Sequence, residues 1–121
     1  MKLDFIIDTN IFIHLFAGNL KESLPDKALG YSVITEIELL SYPYLSPKDE
    51  QQLHKLLSKM NNISLTKEIK QQTIIIRKRY KIRIPDAIIS ATAIVYNAIL
   101  LTNDKQLLTI PDIKSKFLKI I

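Results

Sequence analysis

A chain of 121 residues, 47% hydrophobic and 24% charged, is sized for one domain (residues 1–121), and that length buries roughly two-thirds of the surface an unfolded chain exposes. Cysteine is absent, which excludes disulfides, thiolate metal sites and cysteine nucleophiles and suits a reducing compartment. The net charge of +5 is unevenly spread: residues 1–50 hold four Lys against eight acids, and residues 51–121 hold thirteen Lys or Arg against four. An acidic first half beside a basic second half suits a polyanion held near a cation site, and equally a set of solvated basic helix faces. Met1-Lys2-Leu3-Asp4 carries charge where a signal peptide needs an apolar core, and no apolar run approaches the length of a membrane span, so the expected setting is cytoplasmic with no membrane contact.

Residues 3–7 are almost continuously apolar, as in a strand buried on both faces of a parallel sheet, and Asp8-Thr9-Asn10 breaks that run with helix-capping residues. Asp8 reads as a cap for a helix over residues 9–16, or as a carboxylate at the rim of the sheet. Ile11, Phe12, Leu15 and Phe16 recur at helical spacing until Gly18-Asn19. His14 falls inside that helix and reads, like His54, as a surface or packed side chain rather than a ligand. Residues 20–29 read as a connection with one irregular helical turn. Tyr31-Ser32-Val33-Ile34 forms the next strand candidate, and Thr35-x-x-Glu38 has the form of a capping box opening a helix that Pro43 stops. The box is a structural reading of Glu38; its place at the start of a helix leaving a strand's carboxyl end is the functional one, with Glu36 the weaker candidate.

Ser46-Pro47 opens a helix over residues 48–60 with Leu53, Leu56, Leu57 and Met60 as its apolar stripe. Residues 61–65 form a turn and weak strand. Thr66 caps a segment over residues 67–80 whose pattern fits a helix, while Ile74-Ile75-Ile76 fits a strand. Pro85-Asp86 begins a helix that is apolar on nearly every side, with one polar line through Asp86, Ser90 and Asn97 that should face a crevice or a partner. Residues 98–101 form a third buried strand, and Thr102-Asn103-Asp104 repeats the polar break seen at Asp8. Residues 105–108 make a helical turn, and residues 117–121 a last edge strand.

Four carboxylates, Asp8, Glu38, Asp86 and Asp104, thus fall at strand ends or at the starts of helices leaving the same side of a sheet. If they converge, their repulsion calls for a divalent cation, and an all-oxygen site suits Mg2+ or Mn2+ rather than zinc. Asn10 stands where a haloacid-dehalogenase-type phosphatase needs its second Asp, and Thr102-Asn103-Asp104 stands where a receiver domain needs a Lys.

Four segments, Ile7-Asp8-Thr9-Asn10-Ile11, Ser32-Val33-Ile34-Thr35-Glu36-Ile37-Glu38-Leu39, Pro85-Asp86-Ala87-Ile88-Ile89-Ser90-Ala91-Thr92-Ala93 and Leu101-Thr102-Asn103-Asp104, resemble in kind and order the PIN-domain ribonucleases, most closely the VapC-type toxins of prokaryotic toxin–antitoxin pairs. The resemblance implies an α/β/α fold with a mostly parallel sheet of four to five strands, and a helix over residues 67–80. It implies that Asp8, Glu38, Asp86 and Asp104 are catalytic, metal-site acids for Mg2+, with Thr9, Asn10 and Thr102 as supporting polar groups; Ser90, on the polar line of its helix, is a further supporting candidate from the pattern itself. The resemblance further implies hydrolysis of RNA to a 5′-phosphate and a 3′-hydroxyl, a cognate antitoxin protein and a homodimer. Arg77, Lys78, Arg79, Lys81 and Arg83 are candidate contacts for RNA or for an acidic antitoxin tail, and a catalytically silent PIN-like binding module is the alternative function.

Overall fold

Strands Phe5–Ile7 (β1), Leu29–Ser32 (β2), Asn61–Ile63 (β3), Ile99–Leu101 (β4) and Ser115–Lys116 (β5) form one sheet in a computed structural model that describes residues 1–121. Their order is β3-β2-β1-β4-β5 and every pairing is parallel. Six helices accompany them: Thr9–Phe16 (α1), Val33–Leu40 (α2), Pro47–Leu57 (α3), Lys67–Arg79 (α4), Ile84–Val95 (α5) and Lys105–Leu108 (α6). Strand side chains alternate between faces, and this sorts the core into two layers. Ile6 and Leu100 pack with Ile69, Ile76, Ala87 and Ile89 of α4 and α5. Ile7, Tyr31 and Leu101 pack on the other side with Ile11 and Phe12 of α1 and Leu53 and Leu57 of α3. The result is an α/β/α sandwich in which no helix is long and apolar enough to cross a membrane.

Several boundaries differ from the sequence expectations, each for a local reason. The helix expected to open at Thr35 opens at Val33, because the Ser32 hydroxyl accepts from the Ile34 N–H and caps it two residues earlier. The Thr35-x-x-Glu38 capping box therefore does not form, and Glu38 sits in the second turn. Residues 20–29 contain no helical turn; Leu20 instead pairs antiparallel with Ile120. That bridge and the burial of Leu118 draw the C-terminal residues across the sheet, so the final strand is Ser115–Lys116 rather than residues 117–121. Residues 67–79 are helical, with Ile69, Thr73 and Ile76 buried and Ile74 and Ile75 exposed; the apolar triplet wraps around a helix. α5 begins at Ile84, with Asp86 in its first turn, and stops at Tyr96. Asn97 is left-handed (φ 51), a conformation Asn tolerates, and its side chain accepts from Lys114 at 2.8 Å. The polar line on α5 is therefore Asp86 and Ser90 alone.

Candidate active site

In an open parallel sheet, ligands settle beyond the carboxyl ends of the strands where the chain reverses its direction of winding. Here that point lies at β1, since β2 is laid on one side of it and β4 on the other. Asp8 follows β1 and Thr102-Asn103-Asp104 follows β4, so the topology brings together the two polar breaks of the sequence. The Asp8 N–H donates to the Leu101 carbonyl at 2.9 Å, extending the ladder one residue past the strands. Thr102 Oγ1 then donates to Asp8 Oδ2 at 2.7 Å, and the Asn103 N–H donates to Asn10 Oδ1 at 3.2 Å.

Asp8 does both jobs considered for it. Its Oδ1 accepts from the Thr9 N–H at 2.8 Å at the start of α1, while the residue is only 4% exposed. Burial pushes its pKa from 3.8 up to about 6, against the lowering effect of the hydrogen bonds from Thr102 and Thr9, and the charges of Asp86 and Asp104 raise it further. Asp86 and Asp104 are thus near enough to Asp8 to disfavour its charged form, as the smallest contributions to the shift. Asp104 caps α6 through Oδ1 alone, accepting from the Gln106 and Leu107 N–H groups at 2.8 and 3.2 Å. Asp86 caps nothing. Arg83 occupies the cap position of α5 without a side-chain cap bond, and its guanidinium reaches Asp86 Oδ2 only at 3.4 Å.

Glu38 joins from α2 through a relay rather than by direct contact. It is exposed, and its Oε1 accepts from Thr9 Oγ1 at 2.7 Å, with Thr35 Oγ1 3.0 Å from the same hydroxyl. Thr35, buried and absent from the sequence candidates, is thus part of the site's frame; a threonine followed by Glu three residues later reads as a cap, which concealed it. Of the basic candidates, Arg77 Nε donates to the Ile82 carbonyl and Arg79 pairs with Asp112. Arg83 leans on Asp86, and the Lys78 and Lys81 ammonium groups have no partner among the ion pairs. Only two buried side-chain polar atoms lack a hydrogen bond, Ser90 Oγ and Asn103 Nδ2, and both belong to segments that deliver an acid.

No three of these acids stand close enough to enclose a cation as the side chains are placed. Mg2+ needs no such cage, because it keeps several waters and takes one or two carboxylates plus substrate phosphates. The oxygen-only donors, the raised pKa of the buried Asp8 and an unpartnered buried hydroxyl one turn from Asp86 fit a hard cation and not a thiolate-seeking or imidazole-seeking one.

The fold and this edge define a parallel α/β protein with carboxylates at the topological switch point of its sheet. The chain belongs to the PIN domain family, whose model matches residues 5–113. No curated protein matches it. Among solved structures, it is similar to a chain of a toxin–antitoxin complex from Klebsiella pneumoniae, with 32% identity over 91% of this chain and 95% of that one and a TM-score of 0.76. A chain of VapBC-1 from nontypeable Haemophilus influenzae is 25% identical over 95% of this chain and 98% of its own, also with a TM-score of 0.76. A chain of VapBC2 from Rickettsia felis, bound to a fragment of promoter DNA, is 22% identical over 97% and 100% with a TM-score of 0.76, which bears on the fold alone.

Proposed function

We propose that this chain is a Mg2+-dependent endoribonuclease, Mn2+ being able to substitute, that acts as the toxin of a cytoplasmic toxin–antitoxin pair. The observation that carries the reading is the buried Asp8 at the switch point, held by Thr102 from the loop that also carries Asp104, with its carboxyl raised to about 6 chiefly by burial. A divalent ion bound there would supply charge neutralisation and an activated water for phosphodiester hydrolysis. Asp8, Asp86, Asp104 and Glu38 are the residues that would hold it. Thr102 fixes the orientation of Asp8, and Thr9 ties Glu38 to the same edge. Asn10 clamps the two strand-end loops together by accepting from the Asn103 N–H. Lys81 is the basic candidate left free for RNA phosphates, since Arg77, Arg79 and Arg83 are already engaged and Lys78 lines the depression between α4 and α5.

An inhibitory partner protein has a natural seat. A groove walled by Phe12, Ile13, Phe16, Tyr42 and Leu45 runs between α1, α2 and the start of α3 and opens onto Thr9 and Glu38. It suits an apolar helical stripe ending in a cationic side chain that would neutralise the acids. The exposed Ile74 on α4 and Ile84 on α5, which line one depression with Leu65 and Ile88, are the surface for a second copy of the chain in a homodimer.

The test is cleavage of unstructured RNA by the purified chain in Mg2+ or Mn2+, with EDTA and Asp86→Asn as controls. Cleavage that EDTA and the substitution both abolish is expected, as is growth arrest on expression without the partner. RNA left intact in either metal would make the chain a silent binding module, and cleavage undiminished in Asp86→Asn would remove the acid site from the reaction.

A further inference from the structure

Buried hydroxyls on the helices of this protein satisfy themselves locally: Thr73 donates to the Ile69 carbonyl and Thr92 to the Ile88 carbonyl, each at 2.7 Å. Ser90 has the same option one turn back, at the Asp86 carbonyl, and does not take it. Its Oγ is bonded to nothing although the residue is 0% exposed. A buried hydroxyl without a partner costs stability that alanine, the better helix former, would not. Such a departure at a buried position calls for a functional explanation.

Position supplies one. Ser90 lies four residues after Asp86 on the same face of α5, and helical side chains lean toward the N-terminus, so its hydroxyl stands over the turn that carries Asp86. α5 also packs against β1, and Asp8 follows the carboxyl end of that strand. The flanking residues Ala87, Ala91 and Ala93 are buried and apolar, which leaves Asp86 as the one acid on this helix, with Asp8 at the end of the strand the helix packs against. The hydroxyl bonds neither acid directly. A water between one hydroxyl and two carboxylates has the two to four polar partners that a buried water needs.

We propose that Ser90 is a positioning residue of the acid site, its hydroxyl donating through one ordered water to the Asp86 and Asp8 carboxylates and holding them in the arrangement a hard divalent cation requires. The proposal rests on the acid site being a cation site, and the experiment separates the two. Mn2+ is titrated calorimetrically into the metal-free full chain as wild type, Ser90→Ala, Ser90→Cys and Asp86→Asn, with thermal melts in chelator alongside. Ser90→Ala should melt at or above the wild-type temperature yet bind Mn2+ roughly tenfold more weakly, the effect of losing one hydrogen bond to a charged group. Ser90→Cys, which keeps the volume with only a weak donor, should follow the alanine variant. If both bind Mn2+ as the wild type does while Asp86→Asn does not, the role of Ser90 is refuted and the cation site stands. Wild-type binding by the cysteine variant alone would assign the effect to volume and overturn the proposal, as would a Ser90→Ala protein that melts well below wild type in chelator. Unchanged binding in Asp86→Asn would remove the cation site, and the proposal with it.

Discussion

Replacing Asp8 by Asn tests the electrostatics of the acid site with a definite sign. The Asp8 carboxyl has a pKa of about 6 in the folded chain against an ordinary value of 3.8, chiefly because it is buried. Below pH 3.8 it is protonated in both folded and unfolded chains and has no effect on stability. Between 3.8 and 6 the folded chain holds a proton that the unfolded chain has lost, so stability falls as pH rises; above 6 the full cost of ionising a buried carboxyl is present. The interval from 3.8 to about 6 corresponds to about 3 kcal/mol. Asn cannot ionise and caps a helix about as well as Asp, but one side of its group can no longer accept from Thr102, a loss of about 1 kcal/mol. In EDTA at pH 7.5 the Asp8→Asn protein should therefore be more stable than wild type by about 2 kcal/mol, a rise in melting temperature of roughly 6–10 °C for a chain of this size. At pH 4 the advantage should vanish or reverse. Adding Mg2+ should raise the melting temperature of wild type and leave the mutant unmoved. Thermal melts of both proteins from pH 4 to pH 8, with EDTA and with Mg2+, read all of this. A mutant less stable than wild type across the whole range would refute the crowded-acid account and leave Asp8 as a helix cap.

Thr102→Val removes the donor to Asp8 Oδ2 and the acceptor for the Asp104 N–H. It should destabilise by about 1.5–3 kcal/mol, more at pH 8 than at pH 5 because the lost bond favours the charged carboxylate; urea unfolding at the two pH values checks it, and an equal loss at both would mean that Thr102 does not act through Asp8. Glu38→Gln keeps an acceptor for Thr9 and disturbs no cap, so its melting temperature should match wild type while RNA cleavage falls by at least about tenfold. Wild-type cleavage by that variant would detach Glu38 from the reaction.

How much of this was legible in the sequence depends on how local the cause is. Thr66 and Ser46 cap the helices that the periodicity assigned to them, because a cap hydroxyl and the N–H three residues on are fixed by the chain itself. The expectation of an edge strand over residues 117–121 failed because its cause is remote: Leu118 N–H bonds to Asn103 Oδ1 and Ile120 pairs with Leu20, about 15 and 100 residues away. The helical turn expected within residues 20–29 failed through the same bridge. The ambiguous apolar triplet of α4 resolved only in three dimensions, since Ile76 faces α5 while Ile74 and Ile75 face outward.

At the acid site the difficulty was different in kind. Asp8 and Asp104 were each readable as a helix cap or as a site carboxylate, and the two readings are not exclusive, because a carboxylate has two oxygens. Each residue spends Oδ1 on backbone N–H groups, while Oδ2 of Asp8 turns to Thr102 and Oδ2 of Asp104 makes no bond. A strand that ends where a helix begins delivers a cap and a site-facing group with one residue, and the cap restrains the side chain against the repulsion of its neighbours. Glu38 reverses that logic. Its sequence context promised a cap, but Ser32 took that role, and the freed carboxylate is held instead by Thr9 from another helix. Its hold is a single hydroxyl from another helix, and the residue is the most exposed of the four. Asp8 and Asp104 are pinned by the caps they form, whereas Asp86 and Glu38 cap nothing, so the site combines two acids fixed by backbone N–H groups with two that can turn without breaking a helix cap.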